Sequence, residues 1–204
     1  MRSFTVNDLT LTRRHLIAGL AVLALAPAPA LALSTATAQS LVTSLVAEIQ
    51  TTVNSGKSNA AVYRAFESIF ERYADVPTIA RFALGPAART ASPAELSAFT
   101  NAFSTYISRK YGQRFQEFIG GTVTVKNARP DKNGIVVVQS VANLKNESPF
   151  AVDFHVSDRS GSAKVFNVII EGVNMLTTER TEIGALLDQS GGSVPKLTQR
   201  LKQG

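Results

Sequence analysis

The residues able to do chemistry are few. Besides His15 near the N-terminus the only histidine is His155, and cysteine is absent. One imidazole without thiolates cannot assemble a nitrogen–sulfur metal site, which needs three or four such ligands. The lack of cysteine also removes thiol catalysis. A histidine-dependent triad would have to use His155, which falls on the polar side of an alternating strand pattern, and no Gly-x-Ser-x-Gly elbow accompanies it. Two carboxylate pairs have helical spacing, Glu67 with Glu71 and Glu179 with Glu182. Such pairs do acid–base work when buried. Arg64 and Arg72 stand beside the first pair, and the second falls near the start of a helix, where the macrodipole favours negative charge. Gly120-Gly121 and Gly191-Gly192 lack a phosphate-loop lysine or a dinucleotide fingerprint, and both fit helix-end punctuation. The chain therefore reads as a binder, not an enzyme, with no catalytic residue, no metal and no cofactor.

The elements that carry these residues divide into a helical half and a strand half. Leu41, Val42, Leu45, Val46, Ile49 and Val53 recur at helical spacing up to Asn54-Ser55-Gly56, and Ala61, Val62, Phe66, Ile69, Phe70 and Tyr73 make a second stripe. A short helix over 78–84 stops at Gly85-Pro86. Ser92-Pro93-Ala94-Glu95 then reads as a capping box with proline at the first helical position. The long helix it opens carries Leu96, Phe99, Phe103, Tyr106, Ile107, Tyr111, Phe115 and Phe118 before Gly120. Strands follow at Val123 and Val125, over 135–141, over 150–156 and over 165–170, with turns at 131–134 and 158–161. Phe150, Val152, Phe154 and Val156 alternate with Ala151, Asp153, His155 and Ser157, so one face is polar. In the last strand Phe166, Val168 and Ile170 are expected on one face, Val165 and Ile169 on the other. Helix returns over 178–189 and again around Leu197 and Leu201. Four helices, four strands and two helices predict an α+β fold, with helices packed on one face of a curled antiparallel sheet of about four strands.

The N-terminus reads as an export signal. Arg13-Arg14 precede an apolar run from Leu16 to Ala26, well short of the ~20 residues a helix needs to span a bilayer. Two small-residue triads, Ala30-Leu31-Ala32 and Ala36-Thr37-Ala38, fit cleavage. The second divides the chain into a signal peptide at 1–38 and one domain at 39–204. The twin arginine admits the twin-arginine route beside the general secretory one. Of the formal charge of +6, the first 38 residues hold +2, leaving a scattered +4. That mild excess suits approach to an anionic membrane surface or partner. No basic helix interleaved with aromatics points to nucleic acid. An oxidising compartment permits disulfides without requiring them, so the missing cysteines are compatible with export.

Several spaced blocks carry a resemblance to a known family. They are the stretch from Phe70 through Tyr73 to Asp75 with Ile79 to Gly85; Ala91 to Glu95 with Phe99, Phe103 and Tyr111-Gly112; and Glu171 to Met175 with Arg180. Together they resemble the MlaC family of periplasmic phospholipid carriers, also called toluene-tolerance or auxiliary ABC-transporter proteins. The likeness runs over roughly 61–201. The chain departs from the family at Ala163 and Asn167, where tryptophan and aspartate are usual, and at Asn174, where serine is common.

The resemblance implies a periplasmic monomer that holds a phospholipid's acyl chains in an apolar cavity between sheet and helices. It also implies partners: an outer-membrane lipoprotein complex and an inner-membrane ABC transporter with an MCE-domain subunit. The candidate lipid-binding residues are Phe99, Phe103, Tyr106, Phe115, Val138, Phe154, Phe166, Val168, Ile170, Val173 and Met175, of which about half are expected to be plain core. Two other readings stay open: a hopanoid carrier, and a periplasmic protein-interaction module that binds no lipid.

Overall fold

Ser34 opens the first helix, α1 (Thr35–Val53), by accepting a hydrogen bond from the Thr37 N–H at 3.0 Å, and Asn54 closes it. The computed structural model describes residues 33–112, 118–145 and 147–203. α2 (Asn59–Tyr73) and α3 (Val76–Leu84) follow, α3 being capped by Asp75, whose carboxylate accepts from the Thr78 N–H at 3.2 Å. A 3-10 turn over Gly85–Arg89 leads to α4 (Pro93–Gly112). The capping box is formed as expected: Ser92 Oγ accepts from the Glu95 N–H at 3.2 Å, and Glu95 Oε2 accepts from the Ser92 N–H at 2.8 Å. The Ser92 N–H, together with the Ser92 hydroxyl, which also donates to Oε2, holds the Glu95 carboxyl below the usual range.

Five strands then pair in sequence order as an antiparallel meander: β1 (Thr122–Pro130), β2 (Val136–Asn143), β3 (Phe150–Ser157), β4 (Lys164–Ile170) and β5 (Val173–Asn174). α5 (Met175–Gln189) and α6 (Val194–Gln203) complete the chain. The order of elements agrees with the sequence reading, and the sheet gains a fifth strand. β5 is two residues long, too short to show any alternation. It exists because Glu171 (φ 49°) and Gly172 (φ 82°) reverse the chain tightly enough for Val173 to pair with Ile170. The long helix, expected to reach Phe118, is described only to Gly112.

The helices lie on one face of the sheet and form a second layer of their own. In the first core Ala38, Val42, Leu45 and Val46 of α1, with Ile69 of α2, pack on Val136, Val138, Ala142, Val152, Phe154, Val156 and Val165. In the second, Leu84 of α3, Phe99 and Phe103 of α4, Ile183 of α5 and Leu197 and Leu201 of α6 pack among themselves. α2 bridges them, turning Ile69 to the sheet and Phe70 to the helices. The polar face of β3 is as expected, with Ala151 exposed and Asp153 and His155 half-buried.

One facing assignment needs correction. A bulge opposite His155–Val156 inserts an extra residue in β4, so Val156 pairs with Val165 while His155 pairs with Asn167. An inserted residue breaks the two-residue period locally. Val165 therefore joins Val168 and Ile170 on the helix-facing side, and the Phe166 ring lies against His155 on the other, centroids 6.0 Å apart.

The capping box generates a direct test. Ser92→Ala should lower stability by about 1 kcal/mol in urea unfolding. Because the folded Glu95 pKa is depressed, its contribution is present above the unfolded carboxylate pKa and lost as pH falls through the folded one. The penalty of the substitution should therefore shrink in acid.

Candidate functional site

The helix-facing side of the sheet grades from sealed to open. Val138 and Val156 at its centre are fully buried and Phe154 is nearly so. Towards the rim Val168, Ile170, Val123, Val125 and Phe150 are only partly covered, although they pack on the same cluster. Beyond Ile170, Val173 is 55% exposed, and Met175 and Leu176 at the start of α5 are half-buried. The tertiary structure thus gathers four of the predicted residues, Val138, Phe154, Val168 and Ile170, on one apolar surface, with Val173 and Met175 at the β5–α5 junction that follows β4. Val123, Val125 and Phe150 were not singled out from the sequence. Their signal was the strand alternation, which places Phe150 in phase with Val152 and Phe154.

The other predicted residues lie elsewhere. Phe99 and Phe103 are fully buried in the helical core, their rings 5.8 Å apart. Tyr106 sits at the edge of that core with its hydroxyl on Glu182. Phe166 is on the opposite face of the sheet, and Phe115 lies outside the described residues.

Two open clefts flank the β3–β4 turn. One, of about 350 Å³, is polar and includes Glu71, Asp75, Ser104 and Lys164 in its wall. The other, of about 580 Å³, lies between α1 and the end of α2 and is lined by Ala36, Thr37, Leu41, Tyr73 and Ala163. Both fall within the roughly 300–1,000 Å³ typical of ligand sites. Between them the α2–α3 link is stitched to β4: the Asp75 N–H donates to the Val165 carbonyl at 2.8 Å, and the Lys164 ammonium donates to the Arg72 carbonyl. Burial and the Glu48 carboxylate push the Tyr73 phenol up.

The family-like positions around β4 and α5 hold the backbone. Asn167 Oδ1 accepts from the Leu176 N–H at 3.1 Å, and Asn174 Oδ1 caps α5 through the Thr177 N–H at 3.1 Å. An amide oxygen here does what an aspartate or serine oxygen does at such positions, which is why the two departures leave the β4–α5 corner intact. Arg180 stacks its guanidinium 5.0 Å from the Phe82 ring centroid. Gly85, beside that guanidinium, has φ 66°, a backbone conformation that suits glycine.

The acidic pair of α5 has a partner that the sequence did not reveal. Lys110 of α4 lies between Glu179 (2.8 Å) and Glu182 (2.5 Å), and the hydroxyls of Tyr111 and Tyr106 donate to the same two carboxylates. Glu179 is only 4% exposed. Burial pushes Glu182 up, but hydrogen bonds from Lys110 and Tyr106 outweigh it and hold its carboxyl below the usual range. Burial lowers Lys110, and the two carboxylates more than reverse that. Burial, reinforced by Glu182, pushes the Tyr106 phenol well up. Glu179 Oε1 takes both the Lys110 ammonium and the Tyr111 hydroxyl, while its Oε2 is buried without a hydrogen-bond partner, and the cluster as a whole ties α4 to α5. Among the described residues, no group of histidines, cysteines and carboxylates could hold a metal ion, and no helix is long and apolar enough to cross a membrane.

Lys110→Met should strand the buried Glu179 carboxylate and destabilise by about 3 kcal/mol, the low end for a broken buried pair because the lysine is partly exposed. Adding Glu179→Gln should recover part of that loss in a double-mutant cycle read by urea unfolding.

Comparison with known proteins places this architecture. Residues 39–203 match the model of the MlaC protein family. The toluene tolerance protein ttg2D of Pseudomonas putida is 26% identical over 160 residues, which is 78% of this chain and 74% of that protein. The phospholipid-binding protein of Ralstonia solanacearum, solved in complex with a phospholipid, superposes with a TM-score of 0.69 at 23% identity, covering 81% of this chain and 95% of that one. The likeness to the Ralstonia structure supports the α+β fold, and the family match over most of its length makes this chain a member of the MlaC family.

Proposed function

We propose that this chain is a periplasmic lipid carrier that shelters the acyl chains of a phospholipid against the helix-facing side of its sheet. The observation that carries the reading is the graded surface: a sealed centre with a rim of partly covered apolar side chains, Phe150, Val168 and Ile170, continuing to the exposed Val173. Such a partly covered apolar rim gains stability when a further apolar group completes its cover. Each buried methylene of a lipid is worth roughly 0.8 kcal/mol, so one long acyl chain costs on the order of 10 kcal/mol to expose. A lipid therefore crosses an aqueous gap only inside a protein jacket. The Ralstonia neighbour, solved in complex with a phospholipid, supports the same cargo.

The chain acts by binding and has no catalytic step. It leaves the cytoplasm through an N-terminal leader, and passes lipid between an outer-membrane lipoprotein complex and an inner-membrane ABC transporter with an MCE-domain subunit. Unloading needs a partner that offers an equally apolar surface, because only differential affinity moves the equilibrium.

Protein purified gently from its exported form, without detergent, should carry extractable lipid visible as added mass in native mass spectrometry. Ile170→Glu, at the partly covered rim, should lower lipid uptake from liposomes at least ~10-fold, since a buried unpaired carboxylate costs more than 1.4 kcal/mol. Protein that is consistently empty and takes nothing from liposomes would refute the carrier reading.

A further inference from the structure

We infer that the Ser140 hydroxyl is a polar anchor within the acyl-chain surface, donating a hydrogen bond to an ester carbonyl of the bound glycerolipid. The inference rests on the carrier reading and deepens it. Ser140 stands on β2 between Val138 and Ala142, both packed in the sheet core, and the unbroken register with β3 turns all three side chains to the helices. Its register partners are Val125 on β1 and Val152 on β3. The row continues from Val152 to Ile170 on β4 and then to Val173 on β5, the exposed end of the rim. Ser140 is thus the one polar member of a line of side chains that crosses the whole sheet. It is 2% exposed, and among the described residues its Oγ has no hydrogen-bond partner.

A buried hydroxyl without a partner has given up water and gained nothing in exchange, so the empty core would be better served by alanine at this position. Its place narrows what it can meet. Strands about 4.8 Å apart put Ser140 about 5 Å in from β1, an edge strand whose Val125 is only partly covered. A phosphate or ammonium at that depth would shed its hydration with no counter-charge in the row to replace it. An acyl ester carbonyl is neutral, accepts without donating, and is covalently joined to the hydrocarbon that the row would cover. The hydroxyl then sets the register of the cargo: the carbonyl rests on Ser140, and the methylenes run over Val152 towards Ile170. Loading displaces the cover that α1 lays over this row.

Competition between two phosphatidylglycerols of equal chain length, one ester-linked and one ether-linked, reads the anchor directly. Liposomes holding both in equal amounts are incubated with the protein, and native mass spectrometry counts which lipid is taken up. The unaltered chain should prefer the ester lipid about 5-fold, the value of one neutral hydrogen bond, because an ether lacks the carbonyl. Ser140→Ala should bring ester uptake down to the ether level. Freed of lipid, Ser140→Ala should also resist urea at least as well as the unaltered chain, since it loses only an unpartnered hydroxyl. Equal uptake of the two lipids by the unaltered chain overturns the anchor and leaves the carrier reading standing. So does an ester preference that survives in Ser140→Ala, or a marked loss of stability in the lipid-free variant, which would show that the hydroxyl serves the fold. Uptake of neither lipid overturns the carrier reading and the anchor together.

Discussion

One helix cannot cover a sheet of this width, and the rest of the molecule follows from that mismatch. Five strands at about 4.8 Å spacing place the edge strands roughly 19 Å apart, whereas a helix with its side chains is roughly 10–12 Å across. α1 and the inner side of α2 seal the middle of the sheet, where Val138, Val156 and Ala142 are fully buried. The flanks, Val123 and Val125 on β1 and Val168 and Ile170 on β4, keep the apolar character of a core without full cover. A protein selected only for stability would close that surface with larger side chains or another helix. The open rim makes sense if a hydrocarbon guest completes the core.

Beyond α1 and α2, the helices meet the sheet along β4, through α3 and α5, and otherwise pack in a core of their own. Phe99, Phe103, Ile183, Leu197 and Leu201 satisfy one another, and the Lys110–Glu179–Glu182 clamp joins α4 to α5 independently of any strand. The two layers meet through α2, through the stitch from Asp75 and Lys164 to the ends of β4 and α2, and through the Asn167 bond to the start of α5.

Much of this was legible beforehand. The Ser92–Glu95 box, the stripes of α1 and α2 and the alternation of β3 are local patterns with local causes, and they appear where the periodicity placed them. The differences have equally physical origins. The bulge in β4 moved Phe166 to the other face because an inserted residue changes the phase of everything on one side of it. β5 was missed because two residues carry no pattern. Phe99 and Phe103 read as candidates for the cargo surface because a core-facing and a cargo-facing aromatic share one periodicity, and only packing separates them.

Local chemistry along the chain was enough to set the α+β order of elements, to exclude thiol and nitrogen–sulfur metal chemistry, and to mark the family blocks, since each depends on residue type and short spacing. The tertiary structure alone decided which apolar residues stay uncovered, that Glu179 and Glu182 embrace Lys110 from 69 and 72 residues away, and that the segment before Gln39 belongs to the folded helix. Those outcomes depend on which surfaces meet. No spacing along one strand or helix encodes the width of the sheet beside it.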